Sequence, residues 1–182
     1  MKRLLHVCCA NCLSDIIQEI ASDGAEIVLY FANPNIHPLV EFRRRRKSVR
    51  LMAERLGLRL LEEPYGLYEF LGAVAGSEGD PAKRCATCYG LRLGAAARMA
   101  RTVGAESFTT TLLVSKQQDR DAIVRAGSEA AKEAGVVFEA PDLRDLHGCD
   151  AARPKDLKLY KQSYCGCVFS EEERFRTTTR GE

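Results

Sequence analysis

The stretch Arg3-Leu4-Leu5-His6-Val7-Cys8-Cys9-Ala10-Asn11-Cys12-Leu13-Ser14-Asp15-Ile16-Ile17-Gln18-Glu19-Ile20, followed by Gly24 and by Glu26-Ile27-Val28-Leu29-Tyr30-Phe31, decides the fold. Arg3 to Val7 is short and apolar, as a buried strand is. Leu13, Ile16, Ile17 and Ile20 then recur at i, i+3, i+4 and i+7, one apolar stripe of a helix. Asn11 is a suitable N-cap for it, and Gly24 ends it. Glu26 to Phe31 is apolar almost throughout, the mark of a strand covered on both faces. The segment therefore reads as strand, helix, strand.

The same alternation continues outward. Asn33-Pro34-Asn35 is a turn. The pattern predicts a long helix from Pro38 to Leu56 ended by Gly57, a strand over Leu58–Leu61, and a helix over Gly66–Ala75. A loop follows over Gly76–Pro81, then a helix over Tyr89–Val103 with Leu93, Ala96, Ala97 and Ala100 inward. A Thr-rich strand is expected over Ser107–Val114, a helix over Asp119–Ala134 capped by Gly135, and a last strand over Val136–Glu139. The rest is irregular and carries cysteines, with a short helix near Glu171–Phe175 and a frayed tail over about 176–182. The expected architecture is α/β, a mostly parallel sheet flanked by helices. With 182 residues and no linker, residues 1–182 are expected to form one catalytic domain. In such sheets ligands bind beyond the carboxyl ends of the strands, where Cys8, Asn33 and Ser115 fall.

Composition narrows the function. A formal net charge of +2 announces no nucleic-acid partner by itself. No stretch approaches the ~18–20 apolar residues of a membrane span. The start, Met1-Lys2-Arg3-Leu4-Leu5-His6-Val7-Cys8, lacks a small-residue cleavage site, so a cytoplasmic location is expected. In a reducing compartment disulfides are rare, and the eight cysteines lean towards metal or redox chemistry. Seven fall in three clusters: Cys8, Cys9 and Cys12; Cys85 and Cys88; Cys165 and Cys167. A metal needs thiolates that converge, and a C-x-x-C at a turn or a C-G-C lets two sulfurs face one point. Cys12, in the first turn of its helix, and Cys88, ahead of the Tyr89 helix, gain from the helix dipole. One four-cysteine site would leave a surplus, which points to a second metal. Cys149 stands alone and is left out of the site. A structural zinc is the plainer alternative, but its paired C-x-x-C motifs are usually ~15–20 residues apart.

These clusters and their flanks resemble the epoxyqueuosine reductase family of the QueH type. The matching stretches are His6–Cys12; Phe31–Pro38 with Glu41 and Phe42; Arg84–Tyr89 with Arg92 and Leu93; Phe108–Leu113; and Tyr160–Ser170. The resemblance implies a nucleotide-hydrolase-like α/β fold (HUP-like) and reduction of the epoxide of epoxyqueuosine in tRNA to queuosine. It also implies a 4Fe-4S cluster with an additional iron ion beside it, held by Cys8, Cys9, Cys12, Cys85, Cys88, Cys165 and Cys167. Which of these hold the cluster and which the iron stays open. Asn11 stands where the family usually has Pro, some members carry a carboxylate at the Cys12 position, and Gly148–Lys155 has no clear counterpart.

Removing an epoxide oxygen takes two electrons and two protons and yields an alkene and water. Asp15 and Tyr164, each close in sequence to a cluster, are the candidate acids, and an unidentified donor must supply the electrons. The basic run Arg43–Lys47, with Arg43, Lys47 and Arg50 at i, i+4 and i+7, is a candidate edge for tRNA phosphates. Lys116 with Gln117 and Gln118 could line the substrate cleft, and Asn33 and Asn35 could read a base edge. Two other readings stand beside this one. An ATP-dependent tRNA sulfur-transfer enzyme would need a Gly-rich phosphate loop after the first strand, and Cys8–Asp15 contains no glycine. A zinc-stapled RNA-binding module would be colourless.

Overall fold

The computed structural model describes residues 1–176; the rest of the expected tail lies outside the described residues. Five strands, β1 (Lys2–His6), β2 (Glu26–Phe31), β3 (Arg59–Glu62), β4 (Ser107–Thr110) and β5 (Val137–Phe138), form one sheet in the order β3-β2-β1-β4-β5. Every pairing is parallel, with Leu4 opposite Val28 on one side and Phe108 on the other. This is the α/β architecture expected from the alternating pattern. The order reverses at β1: β2 and β3 lie to one side, β4 and β5 to the other. The gap beyond the carboxyl ends of β1 and β4 is therefore the switch point of the sheet, the usual place for a ligand.

Helices α1 (Ala10–Ile20), α2 (Leu39–Leu56), α3 (Leu67–Val74), α4 (Pro81–Thr102), α5 (Arg120–Ala134) and α6 (Val168–Phe175) cover the sheet and its ends. The α1 stripe of Leu13, Ile16, Ile17 and Ile20 is buried, at about 1.5–3 kcal/mol per large apolar side chain. On α2, Phe42, Val49, Met52 and Ala53 face inward. Alanines 96, 97 and 100 of α4 and 130, 131 and 134 of α5 are buried where these two helices pack. No helix of the described residues is long and apolar enough to cross a membrane.

Three local readings are corrected. The N-cap of α1 is Cys9, whose sulfur accepts from the Cys12 N–H at 3.1 Å, and Asn11 is the second residue of the first turn. The fourth helix starts at Pro81, not Tyr89. Asp80 caps it by accepting from the Lys83 N–H, and Pro81 fits the first turn, where a missing N–H costs nothing. Cys85 and Cys88 thus sit within a helix rather than at a turn before one. The Thr-rich segment is a strand only to Thr110. There the Thr110 hydroxyl accepts from the Leu112 N–H and turns Thr111–Val114 into a 3-10 helix.

Candidate metal centre

Cys8 leaves β1 at the switch point, where its N–H donates to Thr111 Oγ1 at 3.1 Å and the Thr111 hydroxyl donates to its sulfur at 3.3 Å. One residue on, Cys9 caps α1, and Cys12 follows in the first turn. The sulfurs of Cys8, Cys9 and Cys12 lie within 4.8 Å of one another. Cys9 and Cys12 are joined as a disulfide, their Cα atoms 5.5 Å apart, a spacing natural to C-x-x-C at a helix start. This differs from the free thiols expected of a reducing compartment. Two electrons would open the bond to two thiolates.

Cys85 and Cys88 are three residues apart on α4, so their side chains share one helix face. Cys165 and Cys167 flank Gly166, whose φ of +128° only glycine adopts without strain. A Cβ there would stand 3.0 Å from Ile36 and 3.3 Å from the Arg45 guanidinium. Cys167 in turn caps α6, accepting from the Ser170 N–H at 3.3 Å. Cys85, Cys88, Cys165 and Cys167 line one cavity of about 370 Å³. Cys8, Cys12 and Cys165 line an adjoining cavity of about 620 Å³. Cys165, Gln117, Gln118, Tyr164 and Arg174 are common to both.

Two buried guanidinium groups organise these sulfurs. Arg92, four residues after Cys88 on α4, is 1% exposed and donates to Asn33 Oδ1 at 2.7 Å. Its charge reaches Cys88, Cys8 and Cys165. Arg45 of α2 pairs with Glu41 at 2.7 Å and donates to the carbonyls of Tyr164 and Cys165, each at 2.9 Å. Burial pushes the Cys88 thiol up to about 12 and the Cys85 thiol up to about 11. The charges of Cys165 and Cys167 push both the same way, while Arg92 opposes at Cys88. Burial likewise raises Cys165. Such thiols ionise readily only beside a cation, and a bound metal supplies that. Cys88 is buried, Cys165 and Cys167 are half-buried and Cys85 is exposed at the rim, so four thiols around a common void, with the fixed Arg92 cation close by, suit a thiolate-ligated metal group.

Behind the sulfurs, His6 is fully buried, with Nδ1 2.8 Å from Thr110 Oγ1 and Nε2 3.1 Å from the Ala32 carbonyl. A carbonyl only accepts, so Nε2 carries the proton. Burial, with the Arg92 charge adding to it, holds the His6 pKa down to about 3.

Asp15 and Tyr164 both line the larger cavity. The Asp15 carboxylate accepts from the N–H groups of Gly148 and Asp150, each at 2.9 Å, and the Cys149 thiol donates to the Asp15 carbonyl at 3.3 Å. Cys149 is itself exposed and lines neither cavity. The Tyr164 hydroxyl donates to the His37 carbonyl in a very short contact. Asn33 is wholly buried between the Val7 carbonyl and Arg92, which is a scaffolding position. Asn35 is equally buried but lines the four-cysteine cavity. Arg43 and Lys47 are exposed on α2, whereas Arg50 is bound to Glu62 at 2.7 Å. Lys116 is exposed and lines neither cavity; Gln117 and Gln118 line both.

Sequence reasoning passed over Arg92, Arg45 and Gln162. The i, i+4 spacing from Cys88 to Arg92 was the available signal for the first. Arg45 was hidden in a basic run, although Glu41 four residues earlier is a carboxylate partner for it. Gln162 Nε2 lies 2.9 Å from Cys9 Sγ, and its spacing carried no signal.

A doubly wound α/β sheet with seven cysteines from three segments gathered at its switch point defines a protein with a thiol-lined centre between strand ends. The chain belongs to the epoxyqueuosine reductase QueH family, whose model matches residues 3–173. It is 37% identical over 175 residues to the epoxyqueuosine reductase QueH of Dehalococcoides mccartyi, covering 96% of this chain and 94% of that one. It is 35% identical to the protein of that name from Thermotoga maritima, covering 94% and 91%. Against the Helicobacter pylori protein of that name it is 37% identical, covering 92% of this chain and 48% of that longer one.

Proposed function

We propose that this chain reduces the epoxide of epoxyqueuosine in tRNA to the alkene of queuosine, using a 4Fe-4S cluster and an adjacent iron. The names of its relatives support the reaction. One observation carries the metal reading: four cysteines line one cavity and a three-sulfur group borders the next, with Cys165 on both. Cys85, Cys88, Cys165 and Cys167 are the set for a four-thiolate cluster. Cys8, Cys9 and Cys12 are the set for a single iron. Sulfurs sharing one ion stand at most about 4.6 Å apart, twice a bond of ~2.3 Å; these three lie within 4.8 Å of one another, and the Cys9–Cys12 disulfide must be reduced before they bind together. When bound, this group supplies single electrons and a Lewis-acid site.

The chain's own residues do the rest. The larger cavity holds the modified base, walled by the loop at 147–153 that Asp15 anchors. The departing oxygen needs protons, and Asp15 and Tyr164 are the proposed carriers on the wall. Each must exchange a hydrogen bond to deliver one: Asp15 with a backbone N–H, Tyr164 with the His37 carbonyl. Arg43 and Lys47 on the exposed face of α2 are proposed to meet tRNA phosphates, together with Arg50 further along the same helix and Lys116 beyond the 3-10 turn after β4. Residues 1–182 act as one catalytic unit in the cytoplasm, fed by an electron donor that remains to be identified.

The decisive experiment purifies the protein without oxygen, measures iron, sulfide and zinc, and assays conversion of epoxyqueuosine-bearing tRNA. Brown protein with iron and sulfide that yields queuosine is expected. Colourless zinc protein without turnover would overturn the proposal.

A further inference from the structure

One side-chain amide, Gln118, stands against a sulfur of the centre, and a second, Asn35, lines the same cavity. The Tyr89 hydroxyl donates to Gln118 Oε1 at 2.8 Å. With its oxygen held this way, Gln118 presents Nε2 to Cys165 Sγ at 3.6 Å. Asn35 lines the same four-cysteine cavity, is 0% exposed, and has no hydrogen-bond partner for either end of its amide among the described residues. A buried amide without a partner is costly. A cavity lined by thiolates offers acceptors, and these reward the N–H end.

We infer that Gln118 and Asn35 tune the reduction potential of the centre. Gln118 donates an N–H···S hydrogen bond at Cys165, Asn35 would give its unpartnered N–H to the group held by Cys85, Cys88, Cys165 and Cys167, and Tyr89 is the positioning residue that aims Gln118. The inference rests on the iron–sulfur reading proposed above. Reduction adds negative charge to the sulfurs, so a donor stabilises the reduced state more than the oxidised one. Gln118 lines both cavities, so the donor is fixed where the two sulfur groups adjoin.

The test loads wild type, Gln118→Leu, Tyr89→Phe and Asn35→Leu with iron and sulfide without oxygen. Each is titrated with dithionite in the presence of redox dyes, and its visible absorbance is followed. Gln118→Leu and Asn35→Leu should each shift the one-electron equilibrium about tenfold against the reduced state, a lowering of ~59 mV. Tyr89→Phe should shift it the same way by less. Unchanged potentials in fully loaded variants overturn the inference and leave the proposed function standing. If Gln118→Leu fails to load, Tyr89→Phe decides, because its ring keeps its packing: an unchanged potential there overturns the inference. A wild type that takes up no iron or sulfide overturns both.

Discussion

Arg45 Nη1 donates to the Cys165 carbonyl at 2.9 Å, so a guanidinium in the middle of α2 holds the first cysteine of the C-G-C loop. The Arg45 side chain is only 2% exposed and its partner Glu41 only 5%. A buried pair of this kind is weak evidence of net stability, but removing one member leaves a buried charge behind.

Arg45→Met should destabilise the protein by about 3–5 kcal/mol, read from urea unfolding. Arg45→Lys keeps the charge but loses the planar fork that spans two carbonyls. It should unfold later than Arg45→Met yet still hold less iron per chain than wild type. Iron content equal to wild type in Arg45→Lys would count against a role in holding the loop.

Gly166→Ala forces a side chain into a backbone conformation at φ +128° and against Ile36. A cost of about 1–3 kcal/mol is expected, with the loss concentrated at the loop. Iron retention under chelator challenge should fall well before the global unfolding midpoint moves far.

His6 makes the stability of the metal-free protein depend on pH. Its folded pKa is about 3, below the ~6.5 of an unfolded chain. Between those values the unfolded chain binds the extra proton, so stability falls as pH drops below about 6.5 and the loss ends near 3. The slope contributed is at most about 1.4 kcal/mol per pH unit. Urea midpoints at pH 7 and 5 should show it, and His6→Gln should flatten the difference.

Asp15→Asn keeps the shape of the side chain but replaces one acceptor oxygen with an amide that faces a backbone N–H. If Asp15 carries a proton, kcat falls by about 10²–10⁴-fold, and that is the expected result. A change confined to KM would mark it as only the anchor of the 147–153 wall.

Arg43→Glu with Lys47→Glu should weaken tRNA binding and flatten its salt dependence by about 0.7–0.9 per lost phosphate contact. Cluster content should not change, because both residues point away from the sulfurs into solvent.

Much of this molecule was legible in the order of its residues. The apolar runs at Leu4–Val7 and Ile27–Phe31 and the stripe Leu13, Ile16, Ile17, Ile20 are enough to specify a parallel strand–helix–strand unit. Cysteine spacing marked the three clusters. What escaped depends on distance between segments. Whether Arg45 faces water like Arg43 or turns inward is set by Glu41 and by the carbonyls of residues 164 and 165, more than a hundred positions away. The start of α4 escaped because Asp80-Pro81 reads equally well as a turn or as a cap and first turn. The division of the sulfurs between two cavities is a fact of three dimensions, since nothing in the spacing ties Cys85 and Cys88 to Cys165 and Cys167 rather than to Cys8.

The contact between Gln162 and Cys9 joins residues 153 positions apart, and this bears on the order of events during synthesis. The β1 strand and the three cysteines that follow it are synthesised well before the C-G-C loop. At ~5–20 residues per second, the early thiols are made many seconds before Cys165 and Cys167 exist. Whatever the cavities hold can be fully enclosed only after translation has passed residue 167. Insertion of that group thus follows synthesis of the C-G-C loop, and a nascent chain stalled before that point carries thiols with nothing to close over them.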